Sequence, residues 1–200
     1  MYIETPDLVN GSDIQTLLNI NAAAKYNHEG YNGPTLELDH STPLLKAIPP
    51  YSASRLSVKK NVFDAFHSIA SPPNFLWQDI NTTMGFKIDA EAVFEASTAK
   101  PFGPIQEMGL LGRQTLPTEN LKPLKELPEG FKRVAVLLLD FTDCLVGQQS
   151  HLSGRTALKL RILEARGYNV LLVRYDDIPY TKNRLQQIRI LEAKLRSLLQ

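Results

Sequence analysis

A single cysteine, Cys144, stands in 200 residues. It cannot close an internal disulfide, and it leaves no Cys-rich zinc pattern, so a reducing compartment fits the chain. Four histidines are scattered without the spacing of a metal site. The longest unbroken aliphatic run, Val134 to Leu139, is six residues long, against the roughly 20 that a helix needs to cross a bilayer. No segment reads as a membrane span. The first thirty residues set Glu4, Asp7, Asp13 and Glu29 against Lys25 and contain no apolar core, unlike a secretory signal or an Arg-rich transit peptide. The expectation is a chain that acts where it is made, or the C-terminal part of a longer precursor.

Glycine-rich phosphate loops are missing as well. Between the first C-terminal strand and its helix runs Phe141-Thr142-Asp143-Cys144-Leu145-Val146-Gly147-Gln148-Gln149-Ser150-His151-Leu152-Ser153-Gly154, with neither a Walker A sequence nor G-x-G-x-x-G. No H-R-D or D-F-G signature is present, which removes protein-kinase chemistry. No nucleotide or other cofactor is expected.

What the sequence does contain is globular in composition, 43% hydrophobic and 22% charged, and strongly asymmetric in charge. Residues 131–200 carry 12 Lys and Arg against 6 Asp and Glu, a net of +6, while residues 1–130 carry 10 against 15, a net of −5. A basic half is a permissive hint of nucleic-acid contact.

Four stretches differ in pattern. Residues 1–55 form an irregular arm with one short helix, Asp13 to Lys25, in which Ile14, Leu17, Leu18 and Ala22 share a side. Residues 56–96 open with a helix capped by Ser57, where Val58, Val62, Phe63, Phe66 and Ile69 recur at three and four. An extended connection or short hairpin follows through Ile80 to Asp89, and Asp89 can cap a short helix through Ala90, Val93 and Phe94. Residues 97–130 hold five prolines and four glycines, a density that reads as a linker. Residues 131–200 are the most regular: strand Arg133 to Asp140, a helix capped by Ser153 and ended at Gly167, strand Tyr168 to Tyr175, and a helix from Asn183 to Leu199. This is a βαβ unit with a parallel strand pair, and such sheets bind ligands beyond the carboxyl ends of the strands.

That edge offers three chemistries, each with a plain structural counterpart. Asp140 and Asp143, with Asp176 and Asp177 at the neighbouring turn, could hold magnesium for phosphodiester hydrolysis, or could simply end strands and cap turns. Cys144 with His151 could form an activated thiol, or be a half-buried thiol and a loop histidine. On the helix, Arg155, Lys159 and Arg166 fall within about 40° of one another at 100° per residue, a stripe able to ride on phosphates or to be a solvated edge. Tyr168, Tyr175 and Tyr180 could stack on bases or pack at strand ends.

Arg133-Val-Ala-Val-Leu-Leu-Leu-Asp140, Leu152-Ser-Gly-Arg155, the basic helix Thr156 to Arg166 and Gly167-Tyr168-Asn-Val-Leu-Leu-Val-Arg-Tyr175 resemble a RAP domain in order, spacing and C-terminal position. Upstream, Val62 to Ile69 followed by Thr83-Met-Gly85-Phe-Lys-Ile88-Asp89-Ala-Glu91 is similar to the region that precedes RAP in FAST kinase domain-containing proteins. Two positions depart from the pattern: Phe141-Thr142-Asp143 stands where relatives often have Gly-Pro after the aspartate, and Asp176-Asp177 follows Tyr175 where they commonly have aromatic residues.

The resemblance implies an α/β protein, with a restriction-endonuclease-like βαβ RAP domain over 131–200 behind a small, mainly helical FAST-like region over 56–96. It further implies mitochondrial localisation and RNA as partner, in RNA processing, stability or translation. Arg155, Lys159, Arg161, Arg166 and Tyr175 are then the RNA-contacting residues, with Asp140 the candidate acid in a chain read as non-catalytic and metal-free. Two alternatives stand beside it: a metal-dependent ribonuclease using Asp140 with Asp143 or Asp177, and a scaffold for ribonucleoprotein partners that presents its acidic half.

Overall fold

The computed structural model describes residues 11–28, 30–36, 53–71, 75–103, 124, 126–145, 148–174, 176–178 and 183–200. Helix α1 (Gly11–Asn27) and helix α2 (Ala53–Ile69) come first. Helix α1 turns Leu18 and Ala22 inward and leaves Leu17 and Ile20 in water. In α2, Val62, Phe63, Ala65 and Phe66 are buried, as their spacing of one, three and four requires of one face. The helix begins four residues before Ser57, which is therefore interior and not its cap.

Strands β1 (Trp77–Asn81), β2 (Lys87–Glu95), β3 (Phe131–Leu139) and β6 (Asn169–Arg174) make one sheet in the order β1-β2-β3-β6. β1, β2 and β3 run antiparallel, and β3 lies parallel to β6, with Val136 opposite Leu171 and Leu139 opposite Arg174. Between β3 and β6 the chain makes a single 3-10 turn (Phe141–Asp143), the short pair β4 (Cys144–Leu145) and β5 (Gln148–Leu152), and helix α3 (Gly154–Ala165). Helix α4 (Arg184–Leu199) ends the chain. The expected βαβ unit is present. Ser153 caps α3 through Thr156 N, Asn183 caps α4 through Gln186 N, and Gly167 adopts φ +83 after α3.

Two further sequence expectations change. Residues 89–95 are strand and not a short helix: every residue from Ile88 to Phe94 is buried, because β2 lies in mid-sheet between β1 and β3 and is covered on both faces. A cap-like aspartate before Ala-x-x-Val-Phe fits a helix locally, but pairing with β3 from Ala90↔Val136 to Glu95↔Phe131 decides the outcome. Consequently the stretch 56–96 is a helix plus a hairpin rather than mainly helical, and its hairpin shares the sheet of residues 131–200. Most of the Pro/Gly-rich stretch 97–130 lies outside the described residues.

The layers are helix, sheet, helix. On one face α2 and α4 pack Val62, Phe63, Phe66, Leu191, Leu195 and Leu199 against Ala90, Val134, Val136 and Leu138. On the other, α1 and α3 bring Ala22, Ile162 and Leu163 against Ala135, Leu137 and Leu139. The β1–β2 turn is pinned to α1 at Gly85, whose φ is +82 and where an added Cβ would lie 2.6 Å from the Gln15 carbonyl oxygen. Only glycine fits that approach.

Candidate functional site

The carboxyl ends of β3 and β6, where the sequence predicts a ligand edge, hold a cluster built around a cation from α2. The Arg55 guanidinium donates to Asp143 Oδ2 at 2.9 Å and to the Leu138 carbonyl oxygen, and lies 3.5 Å from Asp89 Oδ2 and 3.9 Å from Asp140 Oδ2. Asp89 is fully buried. Its Oδ2 accepts the Leu138 N–H at 2.8 Å, one step beyond the point where the β2–β3 ladder ends at Ala90↔Val136. A side chain thus extends the ladder, and the carboxylate sits at the strand end because of it.

Asp140 and Asp143 close the 3-10 turn on each other. Asp140 Oδ1 accepts the Thr142 N–H at 2.8 Å, and Asp143 Oδ2 accepts the Asp140 N–H at 3.0 Å. Asp143 Oδ1 takes the Thr156 hydroxyl at 3.1 Å, tying the turn to the first turn of α3. Every carboxylate of the cluster is therefore spoken for by an N–H, a hydroxyl or Arg55. Among the described residues no group of three or more His, Cys, Asp or Glu is placed to hold a metal ion. Asp177 is apart: it accepts the Arg174 N–H at 2.7 Å and pairs with Lys194 at 2.9 Å, while Asp176 forms a two-point pair with Arg174 at 3.0 Å.

The cationic stripe of α3 is divided by its surroundings. Arg155 and Arg161 are exposed. Lys159 is half-buried, and burial pushes its amine below the ordinary lysine range, with Asp143 and Asp89 opposing that shift and Arg55 and Arg155 adding to it. Arg166 is buried; it donates to the Tyr26 hydroxyl and stands over that ring, 4.8 Å from its centroid. Tyr168 is likewise buried, bonded to Glu91. Tyr175 and Tyr180 lie outside the described residues. Cys144 is buried opposite Leu152, with His151 exposed on the strand beside it. Of the residues expected to meet RNA, Arg155 and Arg161 face water, Lys159 borders the acid cluster, and Arg166 is directed into the protein, because its neighbour across the interface is α1.

Sequence reasoning gave Arg55 no role, and it took Asp89 as a helix cap and Asp89 and Glu91 as part of a family motif rather than as buried site residues. The signal available for the last two was two acids flanking Ala90 inside an otherwise apolar segment, Ile88 to Phe94. Arg55 lay in a stretch without periodicity and carried no signal.

Lys159 gives a testable sign. A lysine whose folded value is lowered binds its proton less tightly in the fold than in the unfolded chain, so its charge costs stability below the folded value, and the cost disappears as pH rises toward 10.5. Lys159→Met is expected to raise the urea midpoint at pH 7 and to show a smaller gain at pH 10. A variant less stable than the parent at both pH values contradicts this.

Residues 14–101, which span α1, α2 and the β1–β2 hairpin, match the family described as FAST kinase-like protein, subdomain 2. The chain is also similar to FAST kinase domain-containing protein 4 of Mus musculus, 26% identical over 196 residues. That alignment covers 98% of this chain and 29% of the mouse protein. No solved structure matches. Residues 14–101 of this mixed α/β chain are thus similar to FAST kinase-like subdomain 2, a match ending just past β2, and the similarity to the mouse protein extends through the strand ends that carry the acid cluster.

Proposed function

We propose that the chain binds RNA without cleaving it, as a FAST-like module whose residues 131–200 are a RAP domain, and that it works in mitochondrial RNA processing, stability or translation. The observation that carries this reading is the pairing of the strand-end acids with a cation of the chain itself, beside exposed arginines on α3. Arg55 holds Asp89, Asp140 and Asp143 in one cluster, while Arg155 and Arg161 are the cations that face water along α3, with Glu164 exposed near its C-terminal end. A polyanion meets cations there rather than a bare acid cluster. The same guanidinium occupies the position from which a divalent ion would draw its carboxylates, which speaks against the ribonuclease alternative.

Binding of a labelled single-stranded RNA to the full chain, measured at several salt concentrations, tests the reading. Affinity falls with salt by about 0.7 log units per log unit of salt for each phosphate contact on a single strand. Arg155→Ala/Arg161→Ala is expected to weaken binding and to reduce that slope by about 1–2. Loss of affinity without a change in slope contradicts phosphate contact. Magnesium- or manganese-dependent cleavage that disappears in Asp140→Ala replaces the reading with the nuclease alternative.

A further inference from the structure

Phe141 is the most exposed aromatic residue described, at 67%, and it is held where a ligand is expected. We infer that its ring is a stacking platform for one unpaired base of a single-stranded RNA. This rests on the RNA-binding reading and assigns it a residue that has no counterpart in the pattern the chain otherwise follows.

Three observations support the inference. The ring is presented by a rigid support, since the 3-10 turn carrying it is fastened by Asp140 to Thr142, by Asp143 to the Asp140 N–H, and by Asp143 to Arg55 and Thr156. A rigid aromatic loses little conformational freedom when a base settles on it. The exposure is also not solitary: Leu145, four residues on, is 46% exposed, and Leu56, next to Arg55, is 51% exposed. Scattered apolar side chains need no explanation, but these two lie on elements joined to the turn, β4 directly after it and α2 through Arg55.

The third observation selects nucleic acid over an apolar protein segment. Among the described residues the acids at this edge are held in ion pairs, Asp140 and Asp143 with Arg55 and Asp176 with Arg174, which lessens their repulsion of a phosphate. Arg174 stands on the strand end opposite Leu139, two residues before Phe141, with its guanidinium held by Asp176, and Arg155 and Arg161 add positive charge on α3. An aromatic face set among guanidinium groups suits a base with its phosphates, and stacking is tolerant of sequence.

Base–aromatic stacking is typically worth about 5- to 150-fold in affinity on truncation to alanine. For an oligouridine of about a dozen nucleotides, Phe141→Ala is expected to lose affinity in that range with an unchanged salt slope. Phe141→Trp should restore binding, with its indole emission changing on titration. Thermal unfolding of Phe141→Ala should match the parent, because the side chain is in water. A fully paired, blunt-ended RNA duplex should bind both forms alike. If the parent binds oligouridine, Arg155→Ala/Arg161→Ala weakens it, and Phe141→Ala stays within twofold of the parent, the platform is refuted while the RNA reading stands. If the parent binds no RNA, the reading and the platform fall together.

Discussion

Replacing Arg55 with methionine is expected to destabilise the chain by about 3–5 kcal/mol, the usual consequence of removing one partner from a buried charge pair. Asp89 is fully buried, and Asp143 is nearly so. Without the guanidinium, two buried carboxylates and the half-buried Asp140 face one another with only N–H and hydroxyl donors between them. The Leu138 carbonyl oxygen also loses the donor that Arg55 provides. For a domain of this size the unfolding temperature should fall by about 6–20 °C. Asp140→Ala, by contrast, removes a turn cap and the longest of the three ion pairs, at 3.9 Å, and should cost about 0.5–2 kcal/mol. Urea denaturation of both variants with a common slope m measures the difference. Equal effects would mean that Arg55 acts on Asp140 alone and that the buried pairing with Asp89 is energetically idle.

Arg55 also explains why the division of the chain into a FAST-like piece and a RAP-like piece is chemically incomplete. It lies on α2, within the segment 14–101 that matches FAST kinase-like subdomain 2. Its partners Asp140 and Asp143 lie beyond that segment, on the turn after β3. The acid cluster exists only when both parts of the sequence are folded on one sheet. An account built from residues 131–200 alone finds Asp140 and Asp143 and misses the cation that pairs with them.

The legible parts of the fold were those whose signals are local. Arg133 to Asp140 read as a strand, Ser153 as a cap, Gly167 as a helix stop and Asn183 to Leu199 as the last helix, and the structure has the strand at Phe131–Leu139, the cap, the left-handed glycine and the helix at Arg184–Leu199. Residues 89–95 were misread because their identity depends on pairing with β3, some forty residues away in sequence. No periodicity inside the segment announces such a partner. The stripe Arg155, Lys159 and Arg166 was correct as helical geometry and incomplete as an account of exposure. Spacing places three cations on one side of a helix, but α1, from the opposite end of the sequence, covers the last of them through Tyr26. The motif Gly85-Phe-Lys-Ile88-Asp89-Ala-Glu91 becomes a set of separate physical duties: Gly85 admits α1, Ile88 fills the core, Asp89 extends the ladder, and Glu91 joins a buried network.

That network carries the last large effect. Glu91 is fully buried and accepts the Tyr168 hydroxyl at 2.7 Å. Burial lowers the Arg133 guanidinium below its ordinary value, and Tyr168 and Glu91 pull it back. Glu91→Leu therefore takes an acceptor from a buried hydroxyl and a counter-charge from a buried guanidinium, for an expected loss of about 3–5 kcal/mol. Tyr168→Phe removes only one neutral donor and should cost about 1–3 kcal/mol. The informative variant is Glu91→Leu/Arg133→Met. If charge pairing is the reason for the loss, deleting both ions leaves neither stranded, and the double variant should be more stable than Glu91→Leu alone, a non-additivity of 0.5–3 kcal/mol in the range of about that found for contacting residues. Should the two losses instead add, the cost of Glu91→Leu comes from the shape of the leucine in mid-sheet, and Glu91 is present for packing rather than for its charge.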